Sequence, residues 1–104
     1  MLKELLDDVA IDQIGRALGK AEDVVRVILY DWRVSRDGET ELDVLVVYRN
    51  DPVKADAIRT LRSALVGDMS VNIAVMGQEH FEETKDVIGG LAYPADKHGT
   101  EIYP

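Results

Sequence analysis

The chain of 104 residues contains no cysteine. This absence excludes a disulfide scaffold, a thiol nucleophile and any zinc or iron–sulfur site that depends on cysteine. Basic residues are also scarce, because 12 Lys and Arg stand against 20 Asp and Glu and the formal net charge is -8. A chain this acidic repels duplex DNA and anionic membranes, so we expect neither as a partner.

A long hydrophobic run is missing as well. No stretch approaches the roughly 20 apolar residues of a membrane span, and Glu4, Asp7 and Asp8 interrupt the start of the chain, unlike a secretory signal. We therefore expect a cytoplasmic protein. The composition, 46% hydrophobic and 31% charged, is typical of a globular protein, and we expect residues 1–104 to form a single domain.

Hydrophobic periodicity predicts interleaved helices and strands. The predicted elements, in chain order, are a helix near 2–18 ended by Gly19, a strand 24–34, a turn at Asp37-Gly38, a strand 41–48, a helix from Asn50-Asp51-Pro52 to Gly67, a strand 70–75, a short helix near 78–85, a turn or helix near 91–97 disturbed by Pro94, and an edge strand 100–103. This order predicts an α/β or α+β domain, with a mixed β-sheet of three to four strands and helices packed mainly on one face. The first two strands should be antiparallel, and the helix after them permits a parallel crossover.

Three polar side chains on the second and third strands form the candidate site. Glu41 and Asp43 share one face of their strand because side chains alternate, and Asn72 lies on the next strand along the chain. If the two strands are neighbours, these groups converge, and two carboxylates on rigid positions suit a hard cation such as Mg²⁺. Such a cation can bridge phosphate oxygens in phosphoryl transfer. The alternative is that the acids are solvated at a strand end and bind nothing.

The stretch Glu39-Thr40-Glu41-Leu42-Asp43-Val44-Leu45-Val46-Val47 resembles the Asp-x-Asp strand of the DNA polymerase beta-like nucleotidyltransferases, above all their minimal, single-domain members. The resemblance extends over roughly residues 20–103 and includes the strand at 70–75 and the tail from Glu79-His80-Phe81-Glu82-Glu83 to Tyr103. It implies a nucleotidyltransferase-like fold. It also implies that Glu41, Asp43 and Asn72 occupy the catalytic positions, where Glu41 and Asp43 would hold Mg²⁺ and, through it, the phosphates of a nucleoside triphosphate, with Asn72 as a weak third ligand.

The chain departs from this family in four places, of which the mildest is the conservative change of the first acid to Glu41. The family ends its first strand in Gly-Ser, which opens a helix that binds phosphate, whereas this chain has Asp31 and Trp32 there. A hairpin turn replaces that helix, and the third acid is the neutral Asn72. These changes predict a degenerate centre in which Mg²⁺ is bound weakly or not at all.

Two arginines and the single tryptophan near the candidate site can each be given two roles. Arg33 and Arg36 can hold a phosphate, or they can be surface arginines that offset Asp37 and Glu39. Trp32 can stack on a base, although a lone Trp more often packs at a contact.

Three functions remain open from the sequence. Small members of the family pair with an all-helical HEPN protein as antitoxins, so the resemblance implies such a partner. The second function is a non-catalytic interaction or homo-oligomerisation module on the same scaffold. Trp32 and the terminal apolar strand at Ile102-Tyr103 support it, because an edge strand can pair with another chain. The third is a ligand-binding regulatory domain, which a wide separation of Glu41 and Asp43 from Asn72 would favour.

Overall fold

A computed structural model describes residues 8–65 and 70–104 of the chain. The described elements, in chain order, are α1 (Asp8–Gly19), β1 (Val24–Val34), β2 (Thr40–Tyr48), α2 (Lys54–Ala64), β3 (Ser70–Gly77), α3 (Gln78–Thr84), α4 (Ala92–His98) and β4 (Thr100–Tyr103). The fold is therefore α+β, as the sequence predicted. Residues 2–7 of the predicted first helix and the predicted stop at Gly67 lie outside the described residues.

The four strands form one mixed sheet in the order β3-β2-β1-β4. β2 is antiparallel to β1 and parallel to β3, and β4 pairs antiparallel with β1 at the edge. The antiparallel pairing of β1 with β2 confirms the sequence prediction, the parallel pairing of β2 with β3 is the crossover that the sequence permitted, and β4 is the expected edge strand. The parallel register sets Asp43 directly opposite Asn72, so the two candidate strands are neighbours.

Each face of the sheet carries its own apolar core. Leu18 of α1 and Leu61 of α2 pack with Val44 and Val46 on one face, called here the α1/α2 face. Phe81 of α3 and Ala95 of α4 pack on the other, the α3/α4 face. The expected packing mainly on one face therefore holds only for the two longer helices. Consecutive side chains from Val44 to Tyr48 of β2 are buried, so both faces of the strand need cover, and the two short helices supply it on the second face.

Pro94 does not disturb the last helix. It occupies the third position of α4, inside the first turn, where the N–H that proline lacks would have no helical partner. The helix start predicted at Asn50-Asp51-Pro52 is displaced instead, because α2 begins at Lys54 after Val53, which offers no capping side chain. Gly99 ends α4, and the chain turns directly into β4.

The β1–β2 connection is a hairpin, as predicted. The amide of Gly38 donates to the carbonyl of Ser35, and the amide of Ser35 donates to the carbonyl of Glu39. Gly38 has φ +82, which is the left-handed conformation that a three-residue hairpin loop requires at its last position. The loop therefore spans residues 36–38.

Among the described residues, no helix is long and apolar enough to cross a membrane.

Candidate functional site

The open end of the α3/α4 face carries six polar side chains. α3 and α4 cover Ile28, Leu45 and Val47 of this face and leave the other end of β1 and β2 uncovered. The residues there are called the arginine–carboxylate cluster and comprise Tyr30, Asp31, Arg33, Glu41, Asp43 and Asn72. The sequence predicted that Glu41 and Asp43 share a face and that Asn72 joins them if the two strands are neighbours, and the structure brings the three together there.

Arg33 lies at the centre of this cluster. It stands opposite Glu41 in the antiparallel register, so its guanidinium projects over the same face as both acids. Its Nε donates to Glu41 Oε2 at 2.9 Å, and one terminal nitrogen donates to Asp43 Oδ2 at 2.9 Å. The other terminal nitrogen lies 3.4 Å from Asp43 Oδ1. The guanidinium thus binds both of the carboxylates that the sequence assigned to a cation.

Asn72 adds a further hydrogen bond to the Asp43 carboxylate. Its side-chain amide donates to Asp43 Oδ1 at 2.8 Å. Beside a carboxylate an amide stabilises the charge by presenting its N–H group, so its oxygen is directed elsewhere. The hydrogen bond from Arg33, followed by that from Asn72, lowers the pKa of Asp43 below its ordinary value against the opposing effect of burial.

The position of the family's Gly-Ser pair is occupied differently. β1 continues through Asp31 and Trp32 as a strand, and the backbone amide of Trp32 donates to the side chain of Asp31 at 2.8 Å. In the family that resemblance points to, this region opens a helix whose free amides bind phosphate. Here no helix begins at this position, the amide of Trp32 is already bonded, and its partner is an anion. The loss of a phosphate site stays a prediction from the resemblance.

Tyr30 is the member of the cluster that sequence reasoning missed. A bulge between Leu29 and Asp31 turns both Tyr30 and Asp31 toward this face. Burial, together with the charges of Asp43 and Asp31, raises the pKa of Tyr30, and Arg33 opposes this effect. The phenol is therefore a neutral hydrogen-bond donor at physiological pH. The bulge depends on how β1 pairs, so residue spacing alone carried no signal for it.

The two arginines proposed for phosphate have different surroundings. Arg33 offsets Glu41 and Asp43 rather than Asp37 and Glu39. Arg36 lies exposed in the hairpin loop, and among the described residues nothing forms a hydrogen bond or ion pair with it. The two are therefore not a joint phosphate clamp in this structure. Trp32 packs half-buried against the core of the α1/α2 face, away from the cluster.

The donor set of the cluster does not fit a magnesium ion. Mg²⁺ needs free oxygen ligands in a near-octahedral arrangement, but Arg33 binds both carboxylates and Asn72 directs N–H toward Asp43. Within residues 8–65 and 70–104, no group of three or more His, Cys, Asp or Glu side chains is arranged to hold a metal ion. Three carboxylates and one guanidinium leave the cluster negative, which also disfavours a nucleoside triphosphate.

Comparison of the chain with protein-family models, with curated proteins and with solved structures finds no match.

Proposed function

We propose that this chain is a nucleotidyltransferase-like domain without transfer activity that acts by binding a protein partner in the cytoplasm. The observation that supports this proposal best is the position of Arg33, whose guanidinium is hydrogen-bonded to both Glu41 and Asp43. By the resemblance, Glu41 and Asp43 are the residues that would hold Mg²⁺ in a transferase, so a guanidinium bonded to both supports the loss of transfer activity. The bonded amide of Trp32 and the amide side chain at Asn72 support the same conclusion.

The proposed partner follows from the resemblance in the sequence. Small members of that family pair with all-helical HEPN proteins as antitoxins, some of them by nucleotidylating the partner, so a chain without transfer activity would act on such a partner by binding alone. A scaffold role tolerates the changes at residues 31, 32 and 72, whereas phosphate transfer does not. Co-expression with a small all-helical protein encoded beside this chain, followed by purification of a stoichiometric complex, tests the pairing.

The loss of chemistry is tested by calorimetric titration of the wild type with Mg²⁺ and ATP. We expect no binding, because neither a free carboxylate pair nor a phosphate cradle is available. Binding of Mg²⁺ and ATP that Asp43→Ala abolishes would contradict the proposal.

The role of Arg33 is tested by Mn²⁺ binding, followed by electron paramagnetic resonance. We expect Arg33→Ala to bind Mn²⁺ at least about tenfold more tightly than the wild type, because the carboxylates lose their resident cation. Arg36→Ala is the matched control, since it removes an exposed arginine that contacts no member of the cluster. Equal Mn²⁺ affinity in Arg33→Ala and Arg36→Ala would show that Arg33 does not compete with a metal.

One observation favours a second candidate function, homo-oligomerisation. Three large apolar side chains in the segment before α4 are exposed, namely Val87, Ile88 and Leu91 at 56%, 81% and 45%. An apolar group of this kind is typical of a contact surface. Light scattering after size-exclusion chromatography should then show a dimer that Ile88→Asp converts to a monomer. A monomeric wild type at high concentration would remove this candidate.

A further inference from the structure

β1 is longer than the strand that covers its outer side. On its inner side it pairs with β2 as far as Val34, but on its outer side β4 pairs only with Val27, Ile28 and Leu29. β4 cannot extend further along β1, because it begins at Thr100 directly after α4. Within residues 8–65 and 70–104, no strand pairs with residues 30–34 on this outer side, which is called here the free β1 edge.

The register of the hairpin shows which backbone groups this edge presents. The amide of Ser35 donates to the carbonyl of Glu39 at 2.8 Å, so the backbone groups of Ser35 point toward β2. Residues of an antiparallel pair alternate in this respect, so those of Arg33 also point toward β2, and those of Trp32 and Val34 point outward. The amide of Trp32 agrees with this, because it donates to the side chain of Asp31 at 2.8 Å rather than to β2.

The charges on the free β1 edge are complementary to themselves. Asp31 and Arg33 flank Trp32, and their side chains are 60% and 46% exposed on the same face of the sheet. If two copies of this segment pair antiparallel about Trp32, each Asp31 stands opposite the Arg33 of the other copy. Opposite charges across a strand pair are stabilising, and like charges are destabilising. A pair centred on Asp31 or on Arg33 would place like charges opposite each other, so the charges favour Trp32 as the centre.

Asp31 is the carboxylate of the cluster that Arg33 satisfies least. Their ion pair measures 3.5 Å, whereas those of Arg33 with Glu41 and Asp43 measure 2.9 Å. In a pair centred on Trp32, the Trp32 carbonyl of the second copy accepts the Trp32 amide and takes the place of the Asp31 side chain. Asp31 is then released to the Arg33 of the second copy. A guanidinium has five N–H donors, so Arg33 can bond this carboxylate as well as Glu41 and Asp43.

We propose that the free β1 edge binds the same segment of a second copy of this chain, antiparallel and centred on Trp32. The two sheets then join across a twofold axis into one continuous sheet. The length of the edge fits this arrangement, because Trp32 is its middle residue, with β4 beyond one end and the hairpin loop 36–38 beyond the other. The inference does not depend on the proposed loss of transfer activity, nor on the exposed apolar group before α4.

The first test is sedimentation equilibrium of the whole chain over about two orders of magnitude in concentration, with about 150 mM NaCl to screen the net charge. We expect the mass to rise with concentration from 11.6 kDa toward twice that value. Asp31→Lys places like charges opposite each other at both ends of the pair and should weaken dimerisation at least about tenfold. Asp37→Lys is the matched control, because it makes the same charge change on an exposed residue of the hairpin loop.

The second test follows the backbone of the edge in the wild type by amide hydrogen exchange at low and at high concentration. We expect the protection of the amides of Trp32 and Val34 to increase with concentration, because the second copy bonds them. Val34→Pro removes an amide that faces outward and should weaken dimerisation, whereas Val34→Thr keeps this amide and should not.

Three results would overturn the proposal. The first is a wild type that stays monomeric over the whole range, and the second is equal dimerisation of Asp31→Lys and Asp37→Lys. The third is a dimer that Ile88→Asp dissociates and Asp31→Lys does not, since such a dimer forms through the apolar group before α4.

Discussion

At the residue scale, the environment of Asp43 decides the chemistry of the cluster. Its side chain is only 15% exposed, and Arg33 and Asn72 donate to both of its oxygens. Charge-assisted hydrogen bonds of this kind stabilise the ionised carboxylate more than neutral ones do. The Asp43 carboxylate is therefore engaged by hydrogen bonds within the protein and not by an external cation.

The titration of Asp43 should show this role. Arg33→Ala removes the largest cause of the lowered pKa, so we expect the Asp43 pKa to rise in that variant. Carbon-detected NMR of the side-chain carboxyl across acidic pH measures it. Arg36→Ala should leave the Asp43 pKa unchanged, and a shift of equal size in both variants would contradict a specific contact.

The same group links stability to pH. The pKa of Asp43 is lower in the folded than in the unfolded chain, so its ionised carboxylate adds to the free energy of unfolding. This contribution is fully present above the pKa of the unfolded chain, about 3.9, and is lost as the pH falls through the pKa of the folded chain. We expect the free energy of unfolding to decrease over this acidic range by more in the wild type than in Asp43→Asn. Urea unfolding at pH 6 and at pH 3 measures the difference. Identical pH dependence of the two proteins would exclude this contribution.

At the element scale, the two short helices depend on few anchoring residues. α3 has seven residues, too few for independent stability, and its fully buried side chain is Phe81. Arg26 of β1 lies over the Phe81 ring at 4.9 Å from its centre. The contribution of α3 to the cover of the α3/α4 face therefore depends on this one ring.

Phe81→Ala should lower the free energy of unfolding by about 3 to 5 kcal/mol, because it leaves a cavity between α3 and the sheet. Chemical unfolding followed by circular dichroism measures the loss. Glu83→Ala on the same helix is exposed and should change stability by less than about 0.5 kcal/mol. Similar losses in both variants would mean that helix propensity, and not packing, stabilises α3.

The hairpin between β1 and β2 sets the register of Arg33 and contains a conformationally restricted glycine. Gly38 has φ +82 with open space around the position of a side chain, so Gly38→Ala adds no clash and costs only backbone strain, about 1 to 2 kcal/mol. Gly90 also has open space but no positive φ, so Gly90→Ala should be neutral or slightly stabilising. Thermal unfolding of the two variants compares them directly. Equal melting temperatures would show that the loop adopts another conformation.

At the scale of the whole molecule, the charge is strongly unbalanced. The net charge of -8 produces self-repulsion in the compact state. The cross-strand and helical ion pairs relieve it only locally, because most of their side chains are well exposed. Repulsion over longer distances remains and is screened by salt.

We therefore expect the urea midpoint at neutral pH to rise when NaCl increases from about 10 mM to about 150 mM, over which the screening length falls from about 30 Å to about 8 Å. The control is the same pair of measurements near pH 4.6, the isoelectric point, where the net charge vanishes and the rise should disappear. A midpoint that falls with salt at neutral pH would show that the ion pairs outweigh the repulsion.

The sequence by itself determined the order of the elements, the sense of strand pairing and the shared face of Glu41 and Asp43. These features are local, since they follow from side-chain periodicity and from the length of each connection. They sufficed to predict that Asn72 meets Asp43 if the two strands are neighbours, and the structure shows this bond. The wide separation that would have favoured a ligand-binding regulatory domain is therefore not observed between Asp43 and Asn72.

Only the tertiary structure decided what occupies the space between the acids. Arg33 reaches Glu41 because the hairpin loop has three residues and not two, and a shift of one residue would turn its side chain to the other face. The position of α3 and α4 on the second face and the extent of the free β1 edge likewise depend on contacts between distant segments. Such contacts follow from the free energy of the whole packed chain, which no local pattern of residues contains.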